Sequence, residues 1–477
     1  MRTPFILTLI SILLFTNCKN GNNSKSQSEF VSVSQVASGK PVGVVMTTYT
    51  TTMFADGKDQ TLIRAFVVDS AGREITTAEL PIQITVKGDG KITGTENGTP
   101  VIYKKTENGT AFWESRLVKG SCPLIFQAGT KADRIKVEIK SDSLWPGSHE
   151  IHTISPDVKL LKPSADQIKP VTKIIGRSIG ADISFTPQME ARGMKFKDNG
   201  EEKDIMKILA NHGFNYIRLR LFVNPEKEKG YSPGKGFCGL EYTKQMAARA
   251  KKQGLKLLLN FHYSDYWADP QQQNKPDAWK DLDFATLKDS MKAYTKRVLL
   301  ALKDQGTLPE MVQIGNEINH GMLWPDGHIG NPDNLAELLK AGIEGVKEVD
   351  TSIVIMMHLA LGGQNRESVF WLDNMIARGV DFDVIGLSYY PRWHGTLDDL
   401  KFNTNDLLKR YKKDINVVEY SQFKNEIHKI VFSLPDNRGE GTFIWEPIGI
   451  FFNRVDGDAT KELKDYDELG KMYLNVK

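Results

Sequence analysis

Three cysteines in 477 residues are too few for a disulfide framework. Charge of one sign is also missing. The 62 Lys and Arg stand against 59 Asp and Glu, and a net +3 gives no electrostatic case for nucleic acid. The apolar run at the start, Phe5 to Phe15, is too short to span a bilayer comfortably. What is present is an ordinary globular composition, 40% hydrophobic, on a chain long enough for two or three domains.

Residues 1–17 read as a targeting segment, with Arg2 as its positive start, the apolar run next, and Cys18 directly after it. A polar stretch rich in Asn, Ser, Lys and Gly follows, so residues 18–29 read as a flexible tether. That order resembles a bacterial lipoprotein signal, although Asn17 and Phe15 stand where such signals favour small and aliphatic residues. It implies lipidation of Cys18 and a cell-envelope location, on the outer membrane or cell surface. The alternative is a secreted protein whose Cys18 is lost with the signal or left free. Cys122 and Cys238 fall in different domains and are expected to stay thiols.

Residues 30–142 carry short strand-like runs separated by turn signals such as Asp56-Gly57, Asn97-Gly98 and Asn108-Gly109. The pattern fits a β-sandwich. The stretches from Ala55 to Asp69 and from Gly88 to Gly94 resemble the bacterial immunoglobulin-like modules attached to polysaccharide-degrading enzymes. Such a module is expected to act as a spacer; a carbohydrate-binding role would need exposed aromatics, and Trp113 is expected in the core. Residues 143–172 carry Pro146, Pro156, Pro163 and Pro170 without periodicity. They read as a semi-rigid linker that holds the next domain away from the membrane.

Residues 173–477 alternate strand and helix patterns. The candidate strands lie at 174–183, 214–222, 255–262, 311–317, 353–359, 382–390, 415–420 and 441–445, and eight in strict alternation with helices call for a (β/α)8 barrel. Chemistry gathers at the ends of these strands, where such barrels keep it. The fourth runs Met311, Val312, Gln313, Ile314 and then turns polar at Asn316 and Glu317; the seventh ends at Glu419. The second alternates Ile217, Leu219 and Leu221 with Arg218 and Arg220, which places the arginines inside the barrel, where they need carboxylate partners. Asp182, Asn260, His262, Tyr390 and Trp445 stand at other tips. Trp267, Trp324 and Trp393 fall in loops after strands 3, 4 and 6 and are candidate sugar platforms, with loop packing as the bland alternative. Glu446, between Trp445 and a proline, reads as structural.

Five motif groups make the reading specific: Gly180 to Ser184; Tyr216 to Arg220; Phe261 to Asp265 with Trp267 to Pro270; Gly315 to Asn319 with Gly321 to Pro325; and Phe382 to Pro391 with Trp393 to Gly395. Together they closely resemble glycoside hydrolase family 53, the endo-β-1,4-galactanases, over residues 173–449. The resemblance implies a retaining enzyme with Glu317 as acid/base and Glu419 as nucleophile. It also implies that Asn316 holds the sugar 2-hydroxyl, that Arg218, His262 and Tyr390 orient and charge-tune the carboxylates, and that Trp445 floors the sugar. Asp182, Trp267 and Trp393 complete the expected substrate-binding set. The expected partner is polysaccharide, with no cofactor, and the chain is expected to act as a monomer. Between Glu419 and Trp445 many relatives carry a longer, calcium-capable excursion. This chain has only a short helix there and no calcium-loop spacing, so no metal is expected. A mannanase, xylanase or glucanase would share the glutamates without these loops. A non-catalytic glycan-binding protein would not need both carboxylates.

Overall fold

The computed structural model describes residues 39–474 apart from 71, 143, 174 and 175. The targeting segment, the tether and Cys18 lie outside the described residues.

The first domain is a β-sandwich. Its strands are β1 (Gly43–Thr48), β2 (Thr52–Phe54), β3 (Gln60–Val68), β4 (Pro81–Lys87), β5 (Gly90–Thr95), β6 (Ile102–Glu107), β7 (Thr110–Arg116), β8 (Ser121–Ala128), β9 (Arg134–Lys140) and β10 (Gly147–Ile154). One sheet has the order β1-β3-β8-β5 and the other β2-β10-β9-β4-β7-β6. Period two explains the packing: Ile82, Ile84 and Val86 of β4 and Ile135, Val137 and Ile139 of β9 face inward, and their neighbours face out. Trp113 lies in this core as expected. Between β6 and β7, Asn108 and Gly109 both take positive φ (48° and 72°), the geometry a two-residue hairpin turn requires. The exposed edge strand β6 carries Lys104 and Lys105, a charge pattern that discourages strand addition.

The expected linker is corrected at its N-terminal part. Residues 147–154 form β10, which pairs with β9 and with β2, so the sandwich extends into the stretch expected to separate the domains. The irregular stretch that follows lies along the barrel. Leu161 N–H donates to Asn374, and the Gln167 side chain donates to the Ala377 carbonyl.

The barrel strands are β11 (Ser178–Asp182), β12 (Tyr216–Leu221), β13 (Lys256–Phe261), β14 (Met311–Ile314), β15 (Val354–Leu359), β16 (Val384–Tyr389), β17 (Asp414–Tyr420) and β18 (Gly439–Trp445), and they close on themselves. Ile217, Leu219 and Leu221 join the layer between strands and helices, whereas Arg218 and Arg220 point inside. The lower barrel interior is filled by Tyr216, Leu258, Met311, Val354, Met356, Val384, Val418 and Phe443. Gly180 is needed there, because a Cβ would stand 2.1 Å from the Phe443 ring. The outer helices α1 (Ile205–Asn211), α2 (Leu240–Lys252), α3 (Phe284–Asp304), α4 (Pro332–Lys347), α5 (Asn365–Ala377), α6 (Leu397–Tyr411) and α7 (Lys424–Phe432) alternate with the strands. Helix α6 starts on a capping box in which Thr396 and Asp399 satisfy each other's backbone N–H. No described helix is long and apolar enough to cross a membrane.

The sandwich docks on the barrel at the C-terminal ends of its strands. Glu367 of α5 is buried and accepts four hydrogen bonds from the sandwich: from Thr50 Oγ1 (2.7 Å), Thr51 N (2.8 Å), Thr52 N (3.2 Å) and Thr52 Oγ1 (2.9 Å). Beside it, His152 stacks on His320 at 3.6 Å between ring centroids and meets His328 at 3.1 Å. Arg134 lies over the Trp324 ring and donates to the Gln271 carbonyl.

Candidate active site

The site is built at the C-terminal rim of the barrel. After the buried run of β14, Gly315 and Glu317 both take left-handed backbone (φ 83° and 49°). That conformation is uncommon for a glutamate and common at functional turns. It swings the Glu317 side chain over the barrel mouth. Glu419 reaches the same place by another device. Val418 points into the barrel core and Val417 and Tyr420 point to the helices, so strict alternation would send Glu419 outward. The pairing of β17 with β18 shifts register between Val417 and Tyr420, and that of β16 with β17 between Gly386 and Ser388. These irregularities turn Glu419 inward.

Carboxylate oxygens of Glu317 and Glu419 and a ring nitrogen of His358 all lie within 4.8 Å of one another. Both acids line a cavity of about 650 Å³. Arg218 Nη1 bonds Glu419 Oε1 at 2.7 Å and Asp182 Oδ2 at 3.0 Å, and Tyr390 Oη donates to Glu419 Oε2 at 3.1 Å. Ser388 Oγ donates to Glu317 Oε1 at 2.6 Å. Burial, and then the neighbouring charge of Glu419, push the Glu317 carboxyl well up, with Ser388 opposing. Burial raises Glu419 too, but Arg218 and Tyr390 pull it back. Of the two, Glu419 therefore ionises first and Glu317 keeps the remaining proton.

Asn316 Oδ1 accepts from Arg218 Nη2 (3.0 Å) and Asn260 Nδ2 (2.9 Å), while its own amide donates to the Ala268 carbonyl (2.8 Å). That leaves a second amide hydrogen for a ligand hydroxyl. His262 is buried and lines the cavity, and neither ring nitrogen makes a well-formed hydrogen bond to the described protein, the Asn260 backbone giving a weak contact. Burial, with Arg220 and Arg218 nearby, holds it well below the usual histidine range, so it is neutral. Arg220 is paired with Glu446 at 2.6 Å and sits against the rings of Phe185 (4.3 Å) and Trp267 (4.6 Å). Glu446 also accepts from Phe185 N–H at 3.0 Å, which fits the structural reading given to it. Trp267, Trp393 and Trp445 all line the cavity; Trp324 does not, because it is packed at the interface with the sandwich, where its indole donates to the His320 carbonyl.

Two residues that sequence reading passed over belong to this cluster. His358 sits at the top of β15 and bonds Ser388 Oγ through Nε2 (2.8 Å). Its Nδ1 faces two donors, the Gln313 amide (2.8 Å) and Glu317 N–H (3.3 Å), against one acceptor, Asn316 Oδ1 (3.1 Å), a balance that favours the ring proton on Nε2. Ser388 is thus oriented from behind. The available signal was faint: one polar residue at an inward position of an apolar strand, two beyond Met356. Although Glu317, His358 and Glu419 are close enough to be ligands, both imidazole nitrogens of His358 are engaged, so the donor set fits a carboxylate pair better than a metal.

A rim of two coupled acids, one held by an arginine, within a tryptophan-lined cleft is glycosidase chemistry. Comparisons with known proteins agree. Residues 178–428 match the model of glycosyl hydrolase family 53, and residues 44–150 match that of glycoside hydrolase family 2 C-terminal domain 5. The chain is 40% identical over 314 residues to an uncharacterized protein of Niallia circulans, covering 57% of this chain and 84% of that one. It is 34% identical over 305 residues to the arabinogalactan endo-beta-1,4-galactanase of Humicola insolens, covering 57% of this chain and 89% of that enzyme. A solved structure from a study of two fungal beta-1,4-galactanases superposes with a TM-score of 0.56 at 32% identity, over 62% of this chain and 100% of that one. With more than half of its length matched to that family model and most of the Humicola insolens relative covered, this chain belongs to glycosyl hydrolase family 53.

Proposed function

We propose that the chain is an endo-β-1,4-galactanase that cuts galactan side chains of pectin with retention of configuration. The observation that carries this reading is the proximity of Glu317 and Glu419. Oxygens within 4.8 Å suit a retaining pair, whose carboxyl groups stand about 5 to 5.5 Å apart, and fall short of the roughly 6.5–9.5 Å at which an inverting pair places its attacking water. Glu419, ionised beside Arg218, attacks the anomeric carbon as the glycosidic C–O bond breaks. Glu317 gives its proton to the leaving oxygen. The resulting ester removes the negative charge beside Glu317, whose acidity rises. Glu317 then takes a proton from water as that water attacks the same carbon and frees Glu419. Asn316 and His262 bind hydroxyls of the sugar at the cleavage point, Tyr390 and Asp182 hold the charge balance around Arg218 and Glu419, and Trp267, Trp393 and Trp445 present faces to sugar rings. One chain supplies the whole cluster, which supports action as a monomer.

Reducing-sugar release from potato galactan, with mannan, xylan and glucan as controls, tests the reading. Activity confined to galactan is expected, and Glu317→Ala should lose most of it while keeping a faster first step on substrates with a good leaving group. Inertness on galactan sinks the proposal. We further propose that Cys18 carries lipid and anchors the enzyme to the cell envelope, supported by the order of charge, apolar run and cysteine at the N-terminus. Cys18→Ser should then move the protein from the membrane fraction to the soluble fraction; an unchanged distribution refutes the anchor.

A further inference from the structure

The cavity holding Glu317 and Glu419 is not walled by the barrel alone. Val42, Val45, Val68, Ser70, Gly72 and Trp145 of the sandwich line it too. They face the loops that follow β16 and β17, where Tyr390, Trp393, Ser421 and Gln422 line the same space. The outer face of the β1–β3 ribbon is unusual for a sandwich. Val45, Phe66 and Val68 lie there as a small apolar cluster separate from the module's own core. A solvated outer face would alternate with polar residues instead. Trp145 is 41% exposed and Trp393 is 41% exposed, and both border the cavity. Arg392 ties the two segments together: its guanidinium stacks on Trp393 at 5.3 Å and donates to the Pro146 carbonyl at 3.4 Å. The module is fixed in this position by the buried Glu367 network, so its wall is a built part of the cleft.

We propose that the sandwich supplies a sugar-binding subsite of the cleft, in which the Trp145 indole stacks on a galactosyl ring of the bound chain, beyond the rings held by the barrel. The occupant is set by continuity: a polymer threaded past the two acids runs along the same cavity to Trp145. Tryptophan suits the task, because its flat apolar face covers the C–H surface of a pyranose while the ring hydroxyls stay solvated. The inference rests on the galactanase reading above. It turns a module expected as a spacer into a contributor to chain-length preference.

The experiment is a comparison of kcat/KM on polymeric galactan and on β-1,4-galactotriose for the wild type, Trp145→Ala and Trp145→Phe, with thermal melting as a check on folding. The Trp145 backbone bonds to Val42 and Val44 are retained in both variants. For Trp145→Ala the ratio of polymer to trisaccharide activity should fall about tenfold, mostly through KM. Trp145→Phe should recover most of that ratio. An unchanged ratio, or equal losses on both substrates, overturns the subsite while leaving the galactanase reading intact. A wild type inert on galactan overturns both.

Discussion

Ser388→Ala should move the alkaline limb of the pH–activity profile upward by about one pH unit. The Ser388 hydroxyl donates to Glu317 Oε1 at 2.6 Å, and His358 Nε2 fixes it from behind at 2.8 Å. This bond favours the ionised carboxylate, against burial and the charge of Glu419, which both favour the protonated one. A hydrogen bond to a charged group is worth about 1.5–3 kcal/mol and one to a neutral group about 0.5–1.5 kcal/mol. The difference, roughly 1.0–1.5 kcal/mol, is about one pKa unit. Without the hydroxyl, Glu317 is pushed further up. Because Glu317 must start protonated, the alkaline limb of kcat/KM follows its titration in the free enzyme. The acid limb follows Glu419, whose partners Arg218 and Tyr390 are untouched, and should stay in place. Rates on galactan across pH, fitted to two limbs, give the result directly. An alkaline limb that stays put or moves down, or an acid limb that moves instead, refutes the roles given to the two acids.

Three other outcomes follow from buried charge. Glu440, at the start of β18, is raised from 4.5 to about 7 by burial, with Asn416 and Ser178 opposing. The native state therefore holds its proton more tightly than the unfolded chain, and stability is lost as pH rises from 4.5 through about 7, by roughly 3 kcal/mol. Glu440→Gln should raise the barrel's melting temperature at pH 8 and change it little at pH 4.5; an equal effect at both would contradict this. At the domain interface, burial holds His152 down to about 2, His320 to about 3 and His328 to about 4. These depressed values give stability that is present above the usual 6.5 and lost as pH falls from there toward 4. Melting followed from pH 7 to 4 should show docking weaken, more gently in His328→Gln, and a flat profile in the parent protein counts against it. Glu367→Ala strands four donors from Thr50, Thr51 and Thr52 and should cost docking about 3 kcal/mol. Calorimetry should then resolve separate sandwich and barrel transitions, and a single unshifted transition rules the anchor out.

How far these features could be read in the sequence depends on whether their cause is local. The barrel strands could be found because burial on both faces leaves runs such as Met311 to Ile314 with one character throughout. Arg218 and Arg220 could be aimed because β12 is regular and period two has a single solution. Glu419 was found at a strand tip, yet the alternation of its own strand points it the wrong way; its inward turn is made by register shifts against two neighbouring strands. His358 and Ser388 act through each other across two strands, so each alone is one polar residue in an apolar run. Strand β10 was hidden between Pro146 and Pro156, where the breakers were plain and the pairing partners were elsewhere.

Docking of the sandwich is the extreme case. Glu367 in α5 reads as one more helix carboxylate on the solvated side, and Thr50, Thr51 and Thr52 read as a polar turn. Neither has a reason to be buried until the other arrives, more than 300 residues away along the chain. The apolar outer face at Val45, Phe66 and Val68 was nevertheless present in β1 and β3 as side chains on the wrong side of a two-faced ribbon. A sandwich with only solvent outside would not keep it, because exposed contiguous apolar surface mediates association. A run that breaks alternation in an appended module therefore indicates that the module is docked. The side of the ribbon it breaks on indicates which surface meets the enzyme, and here that surface borders the two acids.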